Sequence, residues 1–252
     1  MKQTLSYTGY EKVFSEDFSG DTLDRSRWNV ELHPPGWVNE EWQAYVDSPE
    51  TLYVQDGCLH IRPVKKGDRY ESARISTEGR HSFTYGIFEA VLRVPKGAGY
   101  LPAFWLMAEH EERYGTWPCC GEIDICEIMG SNTGRLYGTL HYGLPHGQTQ
   151  GFIDLEHDDF AERFHRISLK WEEGHIAWYV DGALFFETDR WYATDRAGNP
   201  QPYPAPFDHP MYLIVNLAVG GSWVGHPDQT TAFAGESLKV ASVTVYQKGA
   251  QA

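Results

Sequence analysis

The stretch GEIDICEIMG, which begins at Gly121, places three acids inside an otherwise apolar run. Glu122 and Asp124 lie two residues apart, so on a strand their side chains point to the same face. Glu127 lies five residues after Glu122 and should point to the opposite face. A β-bulge between Asp124 and Glu127 would add one residue and bring all three acids onto one face. The spacing therefore indicates an irregular strand whose apolar residues serve the core.

Two Glu carboxyls on one face could do the chemistry of a glycosidase. In retaining glycosidases the carboxyls lie ~5 to 5.5 Å apart, and one attacks the sugar while the other donates and later removes a proton. Inverting glycosidases need about 6.5 to 9.5 Å, and spacing alone leaves both geometries open. Repulsion among three acids favours a retained proton near neutral pH, as a general acid requires. Asp124 is placed to hydrogen-bond a flanking Glu and help set its charge state.

Two other interpretations of the acids are a solvated strand face and a calcium site. Their interleaving with Ile and Cys residues indicates a strand that crosses the centre of the protein rather than a solvated face. Calcium binds about six to eight oxygens, which a loop usually supplies. The sequence has no acidic, Gly-containing loop of that kind here. Catalysis and the alternatives stay open on spacing alone.

Composition limits the class of ligand. The 252-residue chain has 35 acids against 21 Lys and Arg, which gives a formal net charge of −14. Such a charge repels nucleic acid and disfavours sulfated or carboxylated polymers, so we expect a neutral ligand. Nine Trp, fifteen Tyr and twelve Phe suit a groove that stacks on sugar faces, although core packing accounts for most of them.

The sequence shows no targeting or redox feature. No stretch approaches the ~18 apolar residues of a membrane span, and the start, MKQTLSYTGYEKVF, lacks the apolar core of a signal peptide. We therefore expect a soluble chain, cytoplasmic as written and extracellular if a signal peptide has been removed. The cysteines have no zinc-site spacing, and we expect free thiols at Cys58, Cys119, Cys120 and Cys126.

Strand signals dominate the chain. Segments such as GIFEAVLRV, HIAWYV and MYLIVNLAV are rich in β-branched and aromatic residues, and several segments alternate as half-buried strands do. Asp56-Gly57 and Asp181-Gly182 suit tight hairpins. No long amphipathic helix, repeat or linker interrupts the pattern. The sequence predicts one all-β domain over residues 1–252, a sandwich of two packed antiparallel sheets.

The acidic strand and its surroundings resemble glycoside hydrolase family 16, in its laminarinase-like branch. The pattern E-I-D-x-x-E after Trp-Pro is similar to that family's active-site strand, and the similarity runs from about Val13 to Gln247. Similar stretches include SARISTEGRHSFTYGIFEAVLRVPKGAGYLPAFWLM, FHRISLKWEEGHIAWYVDGALFF and HPMYLIVNLAVGGSWVG. The resemblance implies a β-jelly roll with a long concave groove. It also implies retaining, endo-acting hydrolysis of β-1,3-glucans, with mixed β-1,3-1,4 glucans as a further substrate.

The resemblance implies roles for individual residues. Glu122 would be the nucleophile, Glu127 the acid/base and Asp124 the assisting residue between them. Substrate-binding positions are implied at Asn39, Arg74, Trp105, Trp117, His141, Asn216 and Trp223. The Trp rings would stack on sugars, the Asn and Arg side chains would hydrogen-bond hydroxyl groups, and His141 would hydrogen-bond the acids. Charge balance is the alternative for Arg74, core packing for Trp105 and Trp223, and a structural hydrogen bond for His141.

Two features depart from the family. Many laminarinase-like members bind calcium on the convex face, but Ala241 stands where an Asp before the last strand would be, although Asp17 matches the other expected acid. We therefore expect neither a metal nor another cofactor. The second departure is the absence of a signal peptide in the sequence as written. We expect a monomer that acts on neutral polysaccharide or oligosaccharide, with no nucleic-acid or membrane partner.

Three alternative functions remain. Within the family they are an enzyme acting on marine galactans, of the agarase or porphyranase type, and a transglycosylase. A sulfated galactan would need basic residues in the groove, which the net charge disfavours. The third is a non-catalytic glucan-binding protein, and the presence of all three acids argues against it.

Overall fold

The structure, a computed structural model, describes residues 3–249, and its regular secondary structure is almost entirely β-strand. The strands are β1 (Tyr10–Glu16), β2 (Asn29–Val30), β3 (Gln43–Tyr45), β4 (Leu52–Gln55), β5 (Cys58–Ile61), β6 (Val64–Lys66), β7 (Arg69–Ser72), β8 (Arg74–Ser76), β9 (Ser82–Phe83), β10 (Gly86–Arg93), β11 (Tyr100–Ala108), β12 (Glu122–Glu127), β13 (Arg135–Tyr142), β14 (Gly147–Asp154), β15 (His165–Glu172), β16 (His175–Val180), β17 (Ala183–Thr188), β18 (Ala193–Thr194), β19 (Pro200–Gln201), β20 (Met211–Val219) and β21 (Leu238–Lys248). Within residues 3–249 the one helical element is a 3₁₀ turn at Glu111–Arg113, so the predicted dominance of strands is confirmed.

Two eight-stranded antiparallel sheets form the sandwich. The sheet that carries the acids, called the site sheet, has the order β14-β13-β12-β11-β20-β8-β2, with β9 also paired to β20. The second sheet has the order β17-β16-β15-β10-β21-β5-β4, with β1 also paired to β21. Small sheets of β3-β7-β6 and β18-β19 lie outside these two. The predicted β-jelly-roll sandwich of two antiparallel sheets is confirmed.

The core between the sheets follows from strand alternation. On β11, Tyr100, Phe104 and Leu106 are fully buried, whereas Trp105 and Met107 are partly exposed. Burying a large apolar side chain stabilises the fold by about 1.5–3 kcal/mol, so alternation determines which face of β11 turns inward. The opposite face is left free to present Trp105 beside the acids.

Both predicted tight hairpins are present. Asp56 and Gly57 join β4 to β5 with φ values of 53° and 69°, and Asp181 and Gly182 join β16 to β17 with 49° and 82°. Two consecutive residues at positive φ suit the turns that match the twist of antiparallel strands.

The predicted thiols are also confirmed, because all four cysteines are free. Over residues 3–249, the structure contains no helix of the length and apolarity needed to cross a membrane.

Candidate active site

Strand β12 contains the predicted bulge. Against β13, Asp124 pairs with Thr139 and Glu127 pairs with Tyr137, so two residues of β12 oppose Gly138 alone. The register between β12 and β11 shifts at the same place. The bulge resets the alternation, and the apolar residues between the acids are buried beneath the sheet. The acids therefore share the outward face of the site sheet, called the site face.

Antiparallel register places most of the predicted site residues in rows across the site sheet. One row pairs Glu122 with His141, and the next pairs Asp124 with Trp105. The row through Glu127 crosses six strands and consists of Arg74, Asn216, Ala103, Glu127, Tyr137 and Phe152. Residues that are far apart in sequence thus become neighbours of the acids.

Of the two catalytic candidates Glu122 and Glu127, Glu127 has the higher pKa and holds its proton more strongly. Burial first, and then the charge of Glu122, raise the pKa of Glu127 to about 8. The Thr139 hydroxyl donates to Glu127 Oε2 at 3.2 Å and moderates this rise. Thr139 Oγ1 in turn accepts a hydrogen bond from Gln150 Nε2 at 3.0 Å, which fixes its orientation. Glu127 is therefore suited to donate a proton near neutral pH.

Glu122 ionises more readily than Glu127. Burial raises the pKa of Glu122 to about 7, and three groups oppose the rise: the Trp117 indole, the positive charge of Arg74 and a hydrogen bond with Asp124. Burial and then the charges of the two Glu residues raise the pKa of Asp124 well above its ordinary value. The raised pKa of Asp124 favours its protonated form, and its hydrogen bond with Glu122 supports the ionised form of Glu122. Carboxyls whose environments separate their pKa values can divide acid and nucleophile roles.

His141 connects the acids to the rim of the site. Its Nε2 lies 3.4 Å from Asp124 Oδ2, and its Nδ1 lies 2.9 Å from His146 Nε2. Burial first, and then the charge of His146, lower the pKa of His141 to about 4. A neutral His141 can accept a hydrogen bond from His146 at Nδ1 and carry its proton on Nε2, the nitrogen that lies nearer Asp124. The Trp117 ring lies against this pair, with its centre 4.9 Å from that of His146.

Glu122, Asp124 and His141 are also the groups that could hold a metal ion. Each offers an oxygen or nitrogen, and these atoms lie within 4.8 Å of one another. The pKa of Asp124 is raised well above its ordinary value, so a cation would have to displace its proton in order to bind. The arrangement suits proton transfer better than cation binding.

Arg74 and Asn216 orient Trp105. Arg74 is 7% exposed, its Nε lies 2.6 Å from Glu31 Oε2, and its guanidinium lies 4.7 Å from the centre of the Trp105 ring. Asn216 Oδ1 accepts a hydrogen bond from Trp105 Nε1 at 2.8 Å, and its Nδ2 donates to the Tyr45 hydroxyl at 3.0 Å. The sequence predicts that Asn216 bonds a sugar hydroxyl. In the structure its polar atoms have protein partners, because it lies beside Trp105 at 6% exposure.

Trp223 and Asn39 lie on loops at the rim of the site face. Trp223 is 43% exposed and makes an edge contact with Tyr137, with ring centres 5.3 Å apart. Asn39 has φ 53°, and its carbonyl accepts a hydrogen bond from the Ser222 N–H at 3.0 Å. Its Nδ2 donates to Glu41 Oε1 at 3.4 Å. Asn39 thus ties its own loop to the loop that carries Trp223.

Three residues of the site are absent from the sequence-based prediction. Thr139 was detectable, because in GTLHYG it lies two residues before His141 and must share its face. His146 reaches His141 through a turn that strand periodicity does not describe. Trp37 is 44% exposed, stacks on His33 with ring centres 3.5 Å apart and lies 5.3 Å from the Arg74 guanidinium. The only sequence signal for Trp37 is the high number of Trp residues in the chain.

Buried carboxyls with raised pKa values, on a sheet face flanked by exposed Trp rings, suit the chemistry of a glycoside hydrolase. Comparison with known proteins supports this class of enzyme. Residues 39–235 match the family described as Glycosyl hydrolases family 16. The chain belongs to glycosyl hydrolase family 16, and the predicted resemblance to its laminarinase-like branch is confirmed.

The similar proteins include enzymes named as glucanases. The glucan endo-1,3-beta-glucosidase A1 of Niallia circulans is 36% identical over 264 residues, which cover 95% of this chain and 38% of that protein. The beta-glucanase of Rhodothermus marinus is 34% identical, over 94% of this chain and 85% of that protein. The solved catalytic domain of an endo-1,3-beta-glucanase (laminarinase) from Thermotoga petrophila matches with a TM-score of 0.80 at 35% identity, over 95% of this chain and 98% of that one.

Proposed function

We propose that this chain is a retaining endo-β-1,3-glucanase, with mixed β-1,3-1,4 glucans as a further substrate. The observation that carries the proposal is the bulge of β12, which brings Glu122, Asp124 and Glu127 to one face in environments that favour ionised Glu122 and protonated Glu127. The glucanase names of the similar proteins support the substrate class.

In the first step, the Glu122 carboxylate attacks the anomeric carbon while Glu127 gives its proton to the glycosidic oxygen. The bond between that carbon and oxygen breaks, the released glucan leaves with the proton, and a glycosyl ester forms on Glu122. Formation of the ester removes the charge of Glu122, which is one of the two causes that raise the pKa of Glu127. The pKa of Glu127 therefore falls as the step proceeds, and Glu127 becomes ready to act as a base.

In the second step, Glu127 takes a proton from water, and the resulting hydroxide attacks the anomeric carbon. The ester bond breaks, Glu122 regains its charge, and the sugar leaves with its original β configuration. The return of that charge raises the pKa of Glu127 again. The same electrostatic coupling thus switches Glu127 between acid and base in each cycle.

Asp124 and His141 support this cycle from one side. Asp124 holds a proton because of burial and its charged neighbours, and it donates that proton in a hydrogen bond to Glu122. The neutral His141 places Nε2 3.4 Å from Asp124 Oδ2 without adding a positive charge. We propose that the pair stabilises Glu122 as it regains its charge on release of the sugar.

The surroundings of the acids suit a neutral glucan. Trp117 and Trp223 are 44% and 43% exposed and can stack on sugar rings, while Trp105 beside Asp124 is held by its hydrogen bond to Asn216. Arg74 is paired with Glu31, so it is not free to bind a sulfate group. These contacts favour a neutral glucan over the sulfated galactans.

We propose that catalysis needs no calcium. Asp17 Oδ1 accepts a hydrogen bond from the Ser19 N–H at 3.1 Å, within its own loop. Ala241 lies in β21 and has no side-chain oxygen. A calcium ion there would have only one of the two acids that the family's calcium site is expected to offer.

A polysaccharide panel tests the proposed function. We expect reducing sugar to be released from laminarin, with oligosaccharides rather than glucose as the first products. Proton NMR of the anomeric signal should show the β configuration in the first product. A first product with the α configuration would contradict the double displacement, and activity confined to agar or porphyran would contradict the glucan assignment. Glu173→Gln, an exposed acid, is the control for site variants.

A further inference from the structure

We propose that Trp178, which lies on the second sheet, positions the bulge that carries the acids. The indole of Trp178 is fully buried, and its Nε1–H donates to the backbone carbonyl of Asp124 at 2.9 Å. This hydrogen bond crosses the core from one sheet to the other. Trp178 makes no contact with substrate in this account, and the inference rests on the proposed function.

The bulge in β12 explains why the backbone carbonyl of Asp124 benefits from a hydrogen-bond donor on the second sheet. A bulge interrupts the ladder of backbone hydrogen bonds and leaves groups of the bulged strand unpaired. Asp124 is the last residue of β12 in regular register with β13 before the shift. A buried carbonyl without a donor is strongly unfavourable, and the indole N–H provides a donor where the ladder is interrupted. The bulge and Trp178 therefore depend on each other.

The indole itself is held by a close fit between rings and glycines. Gly138 opposes the bulge, and a Cβ added there would lie 2.6 Å from Trp178 Cδ1. Gly151 pairs with Gly138, and a Cβ there would lie 2.2 Å from Phe186. Trp178 and Phe186 pair across β16 and β17, with stacked ring centres 4.9 Å apart. Two rings of the second sheet thus occupy the space that two glycines leave on the site sheet.

A second bulge lies at the same place in the second sheet. The register of β16 and β17 shifts between Trp178 and Tyr179, directly beside the ring pair. The two sheets therefore depart from regular pairing where they contact each other under the acids. Because the bulge sets the spacing of Glu122 and Glu127, a shift of Trp178 would be transmitted to both carboxyls.

The test compares two indoles. Trp178→Phe removes the N–H and keeps an aromatic ring. Trp171→Phe is the matched control, because Trp171 is also fully buried, lies on the adjacent strand β15 and donates Nε1–H to a carbonyl, that of Phe207, at 3.2 Å. Both variants should lose similar stability, measured by thermal unfolding. Only Trp178→Phe should lower kcat on laminarin, by about tenfold or more, with little change in KM.

A second substrate separates positioning from a general loss of folded enzyme. A dinitrophenyl laminari-oligosaccharide has a leaving group that departs without protonation. A displaced Glu127 should therefore cost more on laminarin than on this glycoside. Phe186→Leu, which keeps the indole N–H but removes the ring stacked on it, should show a smaller fall of the same kind.

The outcomes separate this inference from the proposed function. Equal kinetics in Trp178→Phe and Trp171→Phe would overturn the role of Trp178 while leaving the glucanase assignment intact. A wild-type chain without activity on any glucan would overturn the proposed function and this inference with it.

Discussion

The hydroxyl of Thr139 donates a hydrogen bond to Glu127 Oε2 at 3.2 Å, and it is the protein group that limits how far burial raises the pKa of Glu127. Thr139→Val should therefore raise this pKa further. Because Glu127 must be protonated to act as an acid, the alkaline limb of the profile of kcat/KM against pH should move to higher pH.

The control for Thr139→Val is Thr149→Val, which makes the same change on the neighbouring strand. The Thr149 hydroxyl is hydrogen-bonded to the Tyr142 hydroxyl at 2.7 Å rather than to an acid. An alkaline limb that moves equally in both variants, or that moves to lower pH in Thr139→Val, would contradict the coupling of Thr139 to Glu127.

Replacement of Glu127 should stabilise the fold at alkaline pH. Its folded pKa, about 8, lies above the ordinary value of 4.5, so the folded state binds more protons than the unfolded state between these values. The stability from this group is present below the ordinary pKa and is lost as pH rises through the folded pKa. Glu127→Gln should thus raise the free energy of unfolding by up to ~5 kcal/mol near pH 9, with little effect below pH ~4.

Urea unfolding at several pH values measures this effect, with the exposed Glu173→Gln as the control. A Glu127→Gln variant that is less stable than wild type at alkaline pH would show that the Glu127 carboxylate is well solvated or paired, contrary to the geometry described.

His146 should depress the pKa of His141 through its charge. Burial is the larger cause, so His146→Ala should raise the pKa of His141 from about 4 without restoring the ordinary value of 6.5. NMR titration of the imidazole signals measures this directly. His175→Ala, which removes a histidine bonded to Glu187 on the second sheet, is the control. A His141 pKa near the ordinary value in the wild-type protein would mean that the ring is not buried beside Asp124.

Much of the fold follows from the sequence because its causes are local. Asp56-Gly57 provides the positive φ values of a tight turn, and alternation on β11 separates core residues from Trp105. The bulge of β12 is also predictable, since the odd spacing of Glu127 has one simple geometric resolution. The buried face of a strand, the position of a tight turn and the presence of a bulge can thus each be predicted from a few neighbouring residues.

The partners of the site residues are harder to predict. Strand periodicity places Asn216 on the site face, but it does not reveal that Trp105 and Tyr45 occupy its polar atoms. Likewise the bond from Trp178 to Asp124 joins residues 54 positions apart on different sheets. Such contacts depend on how the two sheets stack, which no local pattern specifies.

The central claim is that Glu122 forms a covalent bond with the sugar. A 2-fluoro laminari-oligosaccharide with a good leaving group should react once and accumulate on the enzyme, because the fluorine slows the release of the ester. Mass spectrometry of the digested protein should then find one added glycosyl group on Glu122, and none in Glu122→Gln. Wild-type protein that hydrolyses laminarin but carries the label on another residue, or Glu122→Gln that labels as wild type does, would contradict the account.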